Sequence, residues 1–164
     1  MTMTMLCFSA PIPAEAWMTD QPAMKFYSKY ANDFGKNFNT TEADRYYADD
    51  CKVTMPDNSV IDMNQGSRGL WQFFGRGLYG MFPRVERNIL SLIVVSDDQK
   101  GTHDIYMQTI TSLHTGEETV DVPQSFTYTL GKADVGKGTD GLQFRALRCF
   151  YDRSLIESAK KRLS

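Results

Sequence analysis

The sequence predicts an α+β fold in which helices come first and long antiparallel strands follow. Three observations carry that reading. Apolar residues recur at helical spacing between residues 14 and 38, and again between 66 and 74. From Val85 onward, long strand-like runs alternate with turn chemistry at Asp97-Asp98-Gln99-Lys100-Gly101 and His114-Thr115-Gly116-Glu117-Glu118. One short helical stretch, Ser154 to Leu163, closes the chain. Helices segregated from hairpin-linked strands place the helices on one face of a sheet.

Length and composition bound the answer. The chain has 164 residues, 41% hydrophobic and 23% charged, with a net charge of -2. That suits one ordinary globular domain with a real core. Without a basic run, nucleic acid and anionic membrane are poor partners. No segment is long enough to span a bilayer. The three cysteines, Cys7, Cys51 and Cys149, have no CxxC or metal-ligand spacing. They point to free thiols in a reducing, cytoplasmic setting. Residues 1–13 lack a basic n-region, and Pro11 and Pro13 interrupt their apolar run. They read as a flexible tail rather than a signal peptide, ahead of a single domain over 14–164.

The first helix covers 14–38, with a break near Thr19 to Pro22. Its stripe, Ala23, Phe26, Tyr27, Tyr30, Phe34 and Phe38, is rich in aromatics, and the two tyrosine hydroxyls need partners when buried. Thr41 opens a short helix to about Ala48, with Asp44 at the third position of a weak capping box. Cys51 to Met55 alternates as a strand, and Val60 to Met63 suits a short edge strand. Gly66-Ser67 opens a helix through Leu70, Trp71, Phe73 and Phe74. Gly75, Gly77 and Gly80 then weaken it by about 1 kcal/mol each relative to alanine, so an irregular or mobile end is expected before Pro83. The long strands are Val85 to Ser96, Thr102 to Leu113 and Thr119 to Leu130, the last with an edge or bulge at Pro123. A glycine-rich loop over 131–141 follows. Runs that are apolar on both sides imply that the second sheet face is covered as well. With no helix to spare, a second copy is the simplest cover, as a two-fold homodimer through the outer sheet face.

The last strand, Leu142 to Asp152, is the one on which the site is built. Alternate residues share a face. The even set, Leu142, Phe144, Ala146, Arg148, Phe150 and Asp152, is mostly apolar and is placed inward. Arg148 and Asp152 then lie on a buried-leaning face, roughly 13 Å apart, so each needs a separate partner or a ligand. The competing reading has Asp152 capping the following helix and Arg148 reaching water.

The ordered set of motifs resembles a known superfamily. It comprises the aromatic-striped first helix, then Tyr46-Tyr47-Ala48-Asp49-Asp50-Cys51 running into a strand. A glycine-opened helix follows, Gly66 to Phe74, stopped at Phe82-Pro83, then long hairpins and a closing Phe150-Tyr151-Asp152-Arg153-Ser154-Leu155. Together, over about residues 20–156, they resemble the nuclear-transport-factor-two-like, or SnoaL-like, superfamily. The resemblance implies a curved antiparallel sheet wrapped around the N-terminal helices as a cone with a central pocket. It also implies a dimer through the outer face. Activities in that superfamily divide between cofactor-free enzymes and non-catalytic binding or association modules, so fold does not choose between them.

The enzyme reading is a cofactor-free isomerase, cyclase or dehydratase working on a small hydrophobic oxygenated metabolite of polyketide or terpenoid type. Asp152 stands where the resemblance places a closing aspartate and is the candidate acid or base, its pKa raised by burial. Arg148 would hold a developing oxyanion, with Tyr30 and Tyr106 as further donors. Tyr27, Trp71 and Phe74 would help form the substrate wall, and the Gly75 to Gly80 segment a lid. Trp71 and Phe74 equally suit an ordinary core. Either face of the Tyr106 strand could point inward. The alternative is a small-molecule-binding or dimerisation module whose cone is filled by side chains. His103 and His114 stand at opposite ends of one strand, and no phosphate loop, GxSxG or HExxH motif is present. No metal or cofactor is expected.

Overall fold

The computed structural model describes residues 3–61 and 66–163. Its seven strands form one curved, unclosed sheet. They are β1 (Met3–Ser9), β2 (Tyr47–Thr54), β3 (Val60–Ile61), β4 (Arg84–Asp97), β5 (Thr102–His114), β6 (Thr119–Lys132) and β7 (Leu142–Tyr151). Their order is β1-β4-β5-β6-β7-β2-β3. The helices are α1 (Pro22–Lys36), α2 (Gly66–Gln72) and α3 (Arg153–Lys161). The sheet is mixed rather than purely antiparallel, because β2 runs parallel to β7. Met63, expected in the β3 strand, lies outside the described residues.

The expected tail is instead an edge strand. Met3 to Ser9 pairs antiparallel with Asp97 to Ser91, so the ordered chain begins well before residue 14. The break in the first helix is real: a 3-10 turn over Ala14–Met18 precedes α1, and Pro22 opens α1 with the Gln21 side chain capping Met24 N–H at 2.8 Å. The expected helix at 41–48 shrinks to a 3-10 turn, Ala43–Arg45. Tertiary bonds replace it. The Asp44 carbonyl accepts from Gln143 Nε2 at 2.5 Å, and Tyr47 already pairs with Phe144. Pro123 lies inside the sheet, yet β7 pairing begins only at Gln124, so no strand needs an N–H from it on that side.

Two bulges decide which side chains enter the cone. In β4 the register jumps between Ile89 and Ser91, leaving Leu90 as the extra residue. Val85, Arg87 and Ile89 therefore face inward before the bulge, and Leu92, Val94 and Ser96 after it. In β7, Phe144 pairs with Leu130 and Ala146 with Thr129, so Arg145 is the extra residue. Leu142 and Phe144 face inward, and beyond the bulge Leu147 and Cys149 do. The even set does not keep one face. Arg148 and Phe150 are turned outward, and Asp152 lies beyond the strand end.

Helix α1 lies in the concave face. Phe26 and Tyr30 each meet Phe144 edge-on at 4.9 Å, and Tyr27 meets Tyr128 at 5.5 Å. A second cluster forms where Ile156 and Ala159 of α3 cover Leu113, Val120 and Val122. After α2 the chain widens into a π-helix over Phe73–Tyr79 rather than an irregular end, closed by Gly80 N–H on the Gly75 carbonyl. On the convex face Leu90, Ile93, Tyr106 and Phe150 are exposed. Among the described residues, no helix is long and apolar enough to cross a membrane.

Candidate functional site

The site forms where α1, the turn before it, the end of the π-helix and the first part of β4 converge. It is a pocket of about 300 Å³, at the lower end of the range for small-ligand sites. Trp17, Tyr27, Tyr30 and Phe34 line one side, and Tyr79, Val85, Arg87 and Ile89 the other. Trp17 stacks on Tyr27 with ring centres 6.2 Å apart.

Arg87 is the polar centre. Its guanidinium carbon lies 5.0 Å from the ring centre of Phe126 and 5.5 Å from that of Tyr79. Nη2 donates to the Tyr79 hydroxyl at 3.1 Å. No carboxylate among the described residues forms an ion pair with it. Burial opposes its charge, while Tyr79, Tyr27, Tyr128 and Tyr30 favour it, and the balance leaves its pKa raised. Cation–π contacts of this kind return about 0.5–2 kcal/mol each, against several for desolvating an unpaired charge.

A line of polar groups leads inward from Tyr79. Gln124 Nε2 donates to the Tyr79 hydroxyl at 3.4 Å, and Thr111 Oγ1 donates to Gln124 Oε1 at 2.6 Å. The Tyr79 oxygen thus accepts twice, which leaves its own proton for an acceptor in the pocket. Next to Gln124 in the register, Thr109 is buried with its hydroxyl unpartnered.

The residues expected at the site divide sharply. Tyr27 and Tyr30 line the pocket, but their hydroxyls are engaged elsewhere: Tyr27 donates to Met107 Sδ at 3.4 Å, and Tyr30 shares a 2.8 Å bond with Tyr47. Burial pushes the pKa values of Tyr30 and Tyr47 well up, so both remain neutral donors. Trp71 is core; its indole donates to the Phe38 carbonyl at 2.9 Å and its ring stacks on Phe38. Phe74 is buried against Phe73 and does not reach the pocket. Tyr106 is 45% exposed on the convex face, because Ile105 and Met107 take the inner positions.

Asp152 and Arg148 are not in the pocket. Asp152 caps α3, accepting from Ser154 N–H at 2.8 Å and from the Ser154 hydroxyl at 2.7 Å. Those bonds hold its carboxyl below the usual range, the opposite of the shift a buried acid shows. Arg148 is exposed beside Phe150, its guanidinium 5.9 Å from that ring. The bulge at Arg145 is the reason for both displacements. Asp49 and Asp50 are occupied as well, by Lys137 at 2.9 Å and Arg145 at 3.0 Å. His103, pKa lowered by burial, bonds Ser96 at 2.8 Å far along the sheet from Arg87. No group of metal-binding side chains is present among the described residues.

Arg87, Tyr79, Gln124 and Thr111 escape a reading of the sequence by motif. One signal was available: Val85, Arg87 and Ile89 alternate, which sets a lone cation on an otherwise apolar face.

No family model matches the sequence, and no curated protein does. Solved structures do match. Aln2 from a Streptomyces species superposes with a TM-score of 0.60 at 13% identity, covering 89% of this chain and 97% of that one. An NTF2-like protein from Cytophaga hutchinsonii gives 0.57 at 12% identity, over 82% and 100%. An LEH-like epoxide hydrolase from M. tuberculosis gives 0.51 at 18% identity, over 85% and 89%. At these identities the likeness establishes architecture: the chain has the nuclear-transport-factor-two-like fold, with Arg87 and Tyr79 inside its cone.

Proposed function

We propose that this chain is a cofactor-independent isomerase, cyclase or dehydratase of a small hydrophobic oxygenated metabolite, of polyketide or terpenoid type. The pocket around Arg87 and Tyr79 is its site. The observation that carries the reading is the Arg87 guanidinium, set in an aromatic pocket with no carboxylate partner among the described residues. Donors fixed in advance at a place where negative charge develops are the usual source of catalysis in such sites, one donor being worth about 2.7–4 kcal/mol. A substrate carbonyl oxygen placed there receives an N–H from Arg87 and the free proton of Tyr79. As the adjacent C–H bond breaks, its electron pair moves into the enolate and the charge on oxygen is held by both groups. Among the described residues, none that lines the pocket is a carboxylate or imidazole. The proton therefore passes to water or to another basic atom of the substrate, which suits ring closure or double-bond migration.

That same composition favours a second reading, a module that binds such molecules without changing them. Incubating the protein with a mixture of small apolar ketones, β-diketones, hydroxyketones and keto acids, followed by mass spectrometry, separates the two. Conversion by the native chain that falls at least about 100-fold in Arg87→Gln supports the enzyme. Binding without conversion supports the module, and neither binding nor conversion removes the pocket from consideration.

We also propose a homodimer through the convex face, where Ile93, Tyr106 and Phe150 are exposed on the same sheet. A dimer in sedimentation that Tyr106→Glu converts to monomer supports it; a native monomer removes it.

A further inference from the structure

We infer that the occupant of the Arg87 pocket is an organic monoanion, a carboxylate carried on a flat apolar frame. This rests on the pocket being the working site and goes further in naming the charge and shape of what enters. Of the five N–H donors of a guanidinium, only one, on Nη2, has a partner among the described residues, and that partner is the Tyr79 hydroxyl. Arg87 is half-buried among aromatic and aliphatic side chains, and a cation shielded from water in that way is normally paired. A neutral ligand would leave this one unpaired, whereas a carboxylate matches the guanidinium fork with two parallel bonds.

The lining also limits the charge. Among the described residues, Arg87 is the sole cation that lines the pocket. One guanidinium balances a monoanion and leaves a phosphate dianion half-compensated. The shape follows from the walls. Trp17, Phe34 and Tyr79 present rings, and a volume of about 300 Å³ admits only a small body between them.

The test compares trans-cinnamate with trans-cinnamamide, which share a planar frame and differ in charge, by calorimetric titration of the full chain at pH 7 and low salt. The expected result is cinnamate binding at least tenfold more tightly. In Arg87→Gln the preference falls to about onefold. Arg87→Lys retains a reduced preference, and serves as the second variant should the glutamine protein not fold. If cinnamamide binds as tightly as cinnamate, or Arg87→Lys shows no preference, the monoanion inference fails while the pocket stands. If neither compound binds, both fail together.

Discussion

Arg87 Nη2 donates to the hydroxyl of Tyr79 at 3.1 Å, tying the inner face of β4 to the last residue of the π-helix. The same hydroxyl accepts from Gln124, so one oxygen serves two donors from two strands. Tyr79→Phe removes it and leaves a guanidinium and an amide without that partner. Unsatisfied buried donors cost about 1–3 kcal/mol. Urea denaturation should show a loss of that size, with an unchanged m-value. A loss below about 0.5 kcal/mol would mean that water already serves both donors.

Asp152 provides a separate test, because its role is now structural. Asparagine caps as well as aspartate, and alanine does not. Asp152→Asn should leave Tm within about 1 °C, whereas Asp152→Ala should lower it by about 2–4 °C through fraying of α3. Neither should alter ligand binding in the Arg87 pocket. A binding defect in Asp152→Asn would restore the aspartate to the site.

The contrast between Asp152 and Arg87 shows what the sequence makes legible. The order of elements could be read because hairpin turns such as 97–101 and 114–118 are local chemistry. The aromatic stripe of α1 could be read because its period is regular. Site residues depend instead on face parity along strands of ten or more residues, and one extra residue inverts it. Leu90 and Arg145 are those residues, and neither bears a bulge signature such as glycine or proline. A reading of even alternation therefore sends Arg148 inward and, carried along β4 without its bulge, sets Arg87 on the face opposite Leu92 and Val94. The β1 strand escapes for another reason: its partners lie 82 to 94 residues away, and no turn announces the pairing.

His103 gives a pH dependence whose sign can be worked out. It is buried, bonded to Ser96, and Ser96 in turn accepts from Gln21 Nε2 at 2.6 Å. Burial lowers its pKa from the ordinary 6.5, opposed by the nearby charges of Asp98 and Asp104. The unfolded chain therefore binds the proton first. The contribution of His103 to stability is complete above about pH 6.5 and is lost as pH falls through its folded value. The slope from this one group cannot exceed about 1.4 kcal/mol per pH unit. Urea midpoints measured from pH 7.5 to 5 should fall less steeply in His103→Gln than in the native chain. Parallel curves would show that His103 does not titrate differently on folding.

Thr109 tests the polar line from the other end. Its hydroxyl is buried between Ile89 and Gln124 without a partner. Replacing it with a methyl group of the same shape removes an uncompensated desolvation of about 1–3 kcal/mol. Thr109→Val should therefore raise stability by up to about 1 kcal/mol, a Tm gain of about 2–4 °C. A loss of stability would mean that the hydroxyl is satisfied by water in solution.

Gly75 determines whether the π-helix can place Tyr79 at all. In a helix, glycine to alanine ordinarily gains about 1 kcal/mol. Here an added Cβ would fall 1.8 Å from Cε2 of Phe38, far inside contact distance. The Phe38 ring is stacked on Trp71 at 5.2 Å and 5°, and Trp71 is itself buried against Tyr46, so the ring has to leave a packed stack to make room. Overpacking of this kind costs about 1–3 kcal/mol, which exceeds the helical gain. Gly75→Ala should therefore lose about 1–2 kcal/mol in urea denaturation. Because Gly75 also supplies the carbonyl that closes the π-helix with Gly80, the variant should also loosen the hold of Tyr79 on Arg87 and weaken cinnamate binding. Stability equal to or above that of the native chain would show that Phe38 swings aside freely and that the glycine is not needed to position Tyr79.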